Sequence, residues 1–262
     1  MDNRPIGIFD SGIGGTSIWK EIHALLPSEH TIYLADSKNA PYGERSPDEI
    51  LALSIKNTEY LLNLDCKLIV VACNTATTNA IDHLRATYEL PFIGIEPAIK
   101  PAALQSSSKT VGVLATKGTL SSALFHNTSK IHANGITILE QEGRGLVPLI
   151  EAGKENSAET RELLQEYLAP MIAARIDYLV LGCTHYPYLL PVLKELLPRD
   201  VQIIDCGEAV ARQTRNILQK NEMLAAAGQV GKPEFYINAG VEVLRSILKE
   251  VRGEMIIEYR DF

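Results

Sequence analysis

Leu68-Ile-Val-Val-Ala-Cys73-Asn74-Thr75-Ala-Thr77 decides the architecture of this chain. Its apolar run has strand length and no polar alternation, the pattern of a strand buried on both faces of a parallel sheet. The residues after the cysteine are polar and open a helical pattern. Tyr178-Leu-Val-Leu-Gly-Cys183-Thr184-His185-Tyr-Pro187 repeats the design, with its cysteine 110 residues further on. A second pair of stretches, Gly7-Ile-Phe-Asp10-Ser11-Gly12 and Gly112-Val-Leu-Ala-Thr116-Lys117, recurs at 105 residues, Ser11 to Thr116. Two similar lobes, each offering one thiol from the carboxyl end of a strand, can face each other across a cleft. That geometry suits a reaction needing a proton-transfer group on each side of a substrate.

Strand-like runs alternate with amphipathic segments along nearly the whole chain. Strands are predicted at residues 6–9, 31–35, 67–72, 92–95, 110–114, 136–139, 178–181, 201–204 and 235–238. Helices are predicted at 17–26, 47–62, 160–174 and 241–251. Apolar strands joined by helices define an α/β fold with mostly parallel sheets. Ser46-Pro47-Asp48-Glu49 marks a helix start with N-cap serine, proline at the first position and glutamate at the third. Residues 36–45, with Pro41-Tyr42-Gly43, then form a polar loop after a strand, where α/β proteins place ligands. The repeat divides the chain into a first lobe of residues 1–97 plus 209–262 and a second of 98–208. The two lobes are expected to be related by a pseudo-two-fold axis, with the site in the cleft.

The composition is that of an ordinary globular protein, with 46% apolar and 22% charged residues. A net charge of −7 offers no nucleic-acid footprint and no long-range attraction for an anion, which must be held by local dipoles. No membrane span and no signal peptide is visible. Four scattered cysteines without a Cys-x-x-Cys indicate reduced thiols and a cytoplasmic setting.

Cys73 and Cys183 are the candidate catalytic groups. A thiol at a helix N-terminus feels the positive end of the dipole, which favours thiolate below the usual pKa of ~8.5. His185, two residues from Cys183, can hold or exchange its proton. Asp10-Ser11-Gly12-Ile-Gly14-Gly15 lacks the third glycine of a dinucleotide fingerprint and the Gly-Lys-Ser/Thr of a P-loop. It reads either as a tight strand-to-helix turn or as a nest in which Ser11 and loop amides hold an anion while Asp10 accepts a hydrogen bond. Glu151 by itself reads as a solvated carboxylate at a helix end, Lys117 as a structural or solvent-facing lysine, and Cys66 and Cys206 as packing residues.

Phe9-Asp10-Ser11-Gly12-Ile-Gly14-Gly15, Ala40-Pro41-Tyr42-Gly43, Ala72-Cys73-Asn74-Thr75-Ala76 and Leu181-Gly182-Cys183-Thr184-His185-Tyr186-Pro187 together resemble the bacterial glutamate racemases, nearly end to end and in order. The resemblance implies L- and D-glutamate interconversion for peptidoglycan synthesis, with neither pyridoxal phosphate nor metal. By position, Cys73 would exchange the α-proton on the D-face and Cys183 on the L-face. Asp10 and His185 would assist them, with Glu151 as a further assisting acid. Ser11, Pro41, Tyr42, Gly43, Asn74, Thr75 and Thr184 would bind substrate, with Thr116 and Thr119 lining the second lobe's side. The resemblance further implies a homodimer, with no nucleic acid or membrane partner. No long extension precedes the first strand, so activation by a cell-wall precursor is not expected.

Two departures from the family pattern concern loops. Glu142-Gly143-Arg144 stands where many members have Ala-Cys-Pro, and Phe125 stands where a tyrosine is usual. An aspartate racemase of the same superfamily and a binding or regulatory protein on this scaffold are the alternative readings.

Overall fold

Buried apolar runs form the central strands, and helices connect most strands to the next. The computed structural model describes residues 1–132, 135–226 and 228–262. The strands are β1 (Ile6–Asp10), β2 (Thr31–Ala35), β3 (Leu68–Val71), β4 (Phe92–Gly94), β5 (Thr110–Ala115), β6 (Thr137–Glu142), β7 (Tyr178–Gly182), β8 (Gln202–Ile204), β9 (Pro233–Ile237) and β10 (Ile256–Tyr259). One sheet has the order β10-β9-β2-β1-β3-β4 and the other β6-β5-β7-β8. Every pairing among the described residues is parallel. The α/β class and the two-lobe arrangement are therefore as the motif repeat implied.

The repeat is visible in the register. Gly7 of β1 lies opposite Ile69 of β3, and Gly112 of β5 lies opposite Leu179 of β7. The central strands of the two sheets are thus offset by 105 residues and their neighbours by 110, the spacings carried by the motifs. The order β2-β1-β3-β4 of the first sheet is repeated as β6-β5-β7-β8 in the second.

Eleven helices are described: α1 (Thr16–Leu25), α2 (Pro47–Asn63), α3 (Asn74–Thr87), α4 (Ile99–Gln105), α5 (Lys117–Leu120), α6 (Ala123–His132), α7 (Leu146–Glu151), α8 (Ala158–Ala173), α9 (Leu190–Leu196), α10 (Gly207–Lys220) and α11 (Glu242–Leu248). α2 starts as its sequence dictates. Glu49 N–H donates to Ser46 Oγ at 3.3 Å, and Ser46 N–H donates to the Glu49 carboxylate at 2.9 Å. α10 packs against α1, so the chain returns to the first sheet before adding β9 and β10.

The largest apolar cluster lies between the sheets and joins Ile13, Trp19 and Phe235 to Leu146, Ile150 and Tyr186. Each sheet has a second cluster on its outer face, one around Phe9, Ile69 and Leu84 and one around Ile99, Val113 and Phe125. Two expectations are revised here. β10 escapes sequence reading because it is an edge strand whose Ile256 and Tyr259 are 45% and 60% exposed, leaving no buried pattern. Residues 36–45, expected as a polar loop, contain two single 3-10 turns, Ser37–Asn39 and Tyr42–Glu44, and bury Asp36 and Tyr42.

Candidate active site

The chain leaves β3 through Ala72 and places Cys73 at the N-cap of α3. Ala76 N–H donates to its Sγ at 3.4 Å, and the thiol donates to Ser11 Oγ at 3.7 Å. The expected helix-end stabilisation is present but is outweighed. Burial pushes the Cys73 thiol well up, and the neighbouring Asp10 carboxylate pushes it further, against the Ala76 and Ser11 hydrogen bonds. Asp10, at the end of β1, is fully buried and is raised to about 6 by burial, with the His185 charge and the Gly15 N–H opposing. Its Oδ2 accepts from Gly15 N–H at 2.8 Å, and its Oδ1 accepts from Thr184 Oγ1 at 3.4 Å.

The second thiol is not placed like the first. Cys183 follows β7, but a 3-10 turn (Tyr186–Leu189) precedes α9, so no regular helix begins at its motif. Its partner is His185, whose Nδ1 lies 3.8 Å from Sγ. Nε2 of the same ring pairs with Glu151 Oε1 at 2.6 Å. Burial opposes a charge on His185, but the hydrogen bonds to Cys183 and Glu151 and the Glu151 carboxylate outweigh it and hold its pKa well above the ordinary value. Glu151 is lowered despite its own burial by His185, Ile13 N–H and Ser37 Oγ. It is therefore no solvated helix end.

The glycines of the first loop have a steric purpose. A Cβ on Gly12 would stand 2.0 Å from Glu151 Oε1, and one on Gly14 would stand 2.2 Å from His185 Nδ1. Neither has the positive φ that would demand glycine for conformation. Of the two readings of this turn, close packing against the His185–Glu151 pair accounts for Gly12 and Gly14, while Ser11 Oγ faces the thiol.

Both cysteines line one chamber with Ser11, Pro41, Tyr42, Gly43, Asn74, Thr75, Thr116, Thr184 and His185. Its volume is about 10 Å³, room for roughly one water molecule. The walls must separate before an amino acid can enter. Thr75 Oγ1 meets Thr116 Oγ1 at 2.8 Å across the lobes, and Thr119 Oγ1 lies 3.1 Å from Thr116 just behind. Both polar atoms of the Asn74 amide are buried without a protein partner. Tyr42 reaches the wall differently from what its motif suggests, because its hydroxyl donates to Asp36 Oδ2 at 2.5 Å and accepts from Asn57 Nδ2 at 3.1 Å.

Val147 also lines the chamber and was not foreseen. It stands four residues before Glu151 on α7, so one helical turn brings both to the same face. The two departures have local explanations. Gly143 packs so closely under Tyr186 that a Cβ would come within 2.2 Å of the phenol oxygen, and its carbonyl accepts from that hydroxyl at 3.2 Å. Phe125 is buried in the outer cluster of the second lobe, away from the chamber lining. Among the described residues, no group of three or more His, Cys, Asp or Glu side chains is arranged to hold a metal ion. No described helix is long and apolar enough to cross a membrane.

The sequence profile of the Asp/Glu/Hydantoin racemase family matches residues 6–214. The chain belongs to this family. It is 47% identical over 247 residues to a glutamate racemase of Pseudomonas putida, covering 94% of this chain and 93% of that protein. The crystal structure of glutamate racemase isoform RacE1 from Bacillus anthracis superposes with a TM-score of 0.87 at 29% identity, covering 100% of this chain and 99% of that one. The Escherichia coli glutamate racemase, crystallised with L-glutamate and the activator UDP-MurNAc-Ala, superposes with a TM-score of 0.84 at 34% identity over 97% of both chains. Racemases are isomerases, so the chain's reaction class is isomerisation.

Proposed function

We propose that this chain is a glutamate racemase that inverts Cα by proton transfer between two thiols, without a cofactor, and so supplies D-glutamate for peptidoglycan. The observation that carries the reading is that Cys73 and Cys183, from separate sheets, wall one chamber. Cys183 takes the α-proton of L-glutamate while Cys73 delivers one to the opposite face, and the reverse direction exchanges their roles. Asp10 serves Cys73, and His185 with Glu151 serves Cys183. Neutral donors hold the substrate carboxylates and the developing negative charge: the unpaired Asn74 amide, the hydroxyls of Ser11, Thr75, Thr116 and Thr184, with that of Thr119 behind Thr116, and backbone N–H groups of Tyr42, Gly43 and the helix ends. Closing so small a chamber expels water and strengthens each of these hydrogen bonds.

The sheet memberships support lobes of residues 1–97 with 209–262 and of 98–208, moving apart to exchange substrate. Four free, buried cysteines suit the reducing cytoplasm. A homodimer is the proposed assembly, and sedimentation at several concentrations with and without glutamate tests it. A monomer persisting at high micromolar concentration would refute it and leave the chemistry intact.

The reaction is tested by circular dichroism with L-glutamate and with L-aspartate, no cofactor added. Loss of optical activity with glutamate is expected. Loss with aspartate alone would transfer the assignment to an aspartate racemase, and loss with neither would favour a binding protein. Cys73→Ser and Cys183→Ser should each remove most racemisation, because a hydroxyl is a far weaker acid than a thiol. In deuterium oxide the inverted product should carry deuterium at Cα. A single serine variant racemising at the parental rate would overturn the two-base assignment.

A further inference from the structure

Glu151 belongs to the second lobe, yet two of its three hydrogen-bond partners belong to the first. His185 Nε2 and Ile13 N–H meet its Oε1 at 2.6 Å and 2.7 Å, and Ser37 Oγ donates to Oε2 at 2.8 Å. Ile13 lies in the loop after β1, and Ser37 opens the segment that carries the Pro41–Gly43 wall of the chamber. Ser37 is held firmly from behind. Its neighbour Asp36 is fully buried and accepts hydrogen bonds from Tyr42 Oη and Asn238 Nδ2, both at 2.5 Å, and from Asn39 Nδ2 at 2.8 Å.

A glutamate carboxylate held at one oxygen can swivel, because its terminal torsion is broad and two-fold. Holding both oxygens from opposite sides fixes the plane of the carboxylate, and with it the ring that shares Oε1. We propose that Ser37 is a positioning residue for His185, acting through Glu151, so that the His185–Cys183 geometry is completed only when the lobes come together. This rests on the reading of Cys183 and His185 as a proton-transfer pair. When the lobes part, both first-lobe donors leave and Glu151 keeps only His185. The closing motion then completes the catalytic constellation instead of merely enclosing the substrate.

The charged groups facing Glu151 are His185 and, at longer range, Asp10, and both remain in a Ser37→Ala variant. Removing the hydroxyl deletes one of the hydrogen bonds that lower the Glu151 carboxyl, so the acid limb of the kcat profile should move to higher pH. The experiment compares the parent with Ser37→Ala, Ser37→Thr and Glu151→Gln in both directions of racemisation. Ser37→Ala should lose about tenfold in kcat, the scale of one hydrogen bond to a charged group, with KM changed by less than about twofold. Ser37→Thr should recover most of that loss, and the melting temperature should be close to parental in both. Parental kcat and pH profile in Ser37→Ala, with Glu151→Gln impaired, would overturn the proposal. So would a loss that threonine does not restore and that follows a fall in melting temperature. Parental rates in Glu151→Gln and Cys183→Ser would instead remove the underlying reading.

Discussion

Asp10 is the residue whose function conflicts most openly with stability. A buried carboxyl raised from 3.8 to about 6 binds its proton better in the folded chain than in the unfolded one. Its ionisation therefore costs nothing below about pH 4, and the cost grows as pH rises through about 6. The shift corresponds to about 3 kcal/mol at neutral pH. Asp10→Asn keeps the shape and can still accept from Gly15 N–H. It should melt several degrees above the parent at pH 7.5, lose that advantage by pH 4, and racemise far more slowly. Equal melting at both pH values would show that Asp10 carries no such cost. The sequence announced Asp10 and the two thiols because each ends a strand inside a repeated motif. Glu151 and Ser37 were not legible in that way. The groups that give Glu151 its role are Ile13, Ser37 and His185, at 138, 114 and 34 residues' separation, and only folding brings them to it.

At the level of elements, the loop between β1 and α1 is governed by what packs on it. Gly14→Ala places a methyl group 2.2 Å from the His185 ring, and the ring must shift or the lobes must stay apart. Displacements near 1 Å in such a site cost about a hundredfold, so activity should fall at least that far while far-ultraviolet dichroism remains parental. A variant of parental activity would mean that the lobes sit further apart in solution than this packing requires. Strands with both faces buried were readable from apolar runs, as β1, β2, β3 and β7 illustrate. β10 was not, because an edge strand exposed on most of its length carries no such run. The equivalence of the two motifs was also only partly real. Cys73 caps a regular helix, whereas the turn after Cys183 spends its backbone on bringing His185 beside the sulfur.

Over the whole molecule, two parallel sheets of like order meet at an apolar cluster and a chamber too small for an amino acid. That the chain folds as two lobes was legible in its repeat. That they close so completely was not, since closure is a property of the surfaces in contact. All four cysteines are at most 7% exposed. Cys66 and Cys206 stand apart from the chamber between the lobes, Cys66 beside a separate surface cleft with Arg4, Leu62 and Tyr88, whereas Cys73 and Cys183 line that chamber. Iodoacetamide followed by mass spectrometry should therefore modify Cys73 and Cys183 first, and saturating glutamate should suppress both together. Cys66 and Cys206 should react only as the chain unfolds. Equal modification of all four would contradict the closed chamber. Alkylation at the two reactive positions then advances in proportion to the time the lobes spend apart, and the slope of adduct against time reads that open fraction without any substrate turning over.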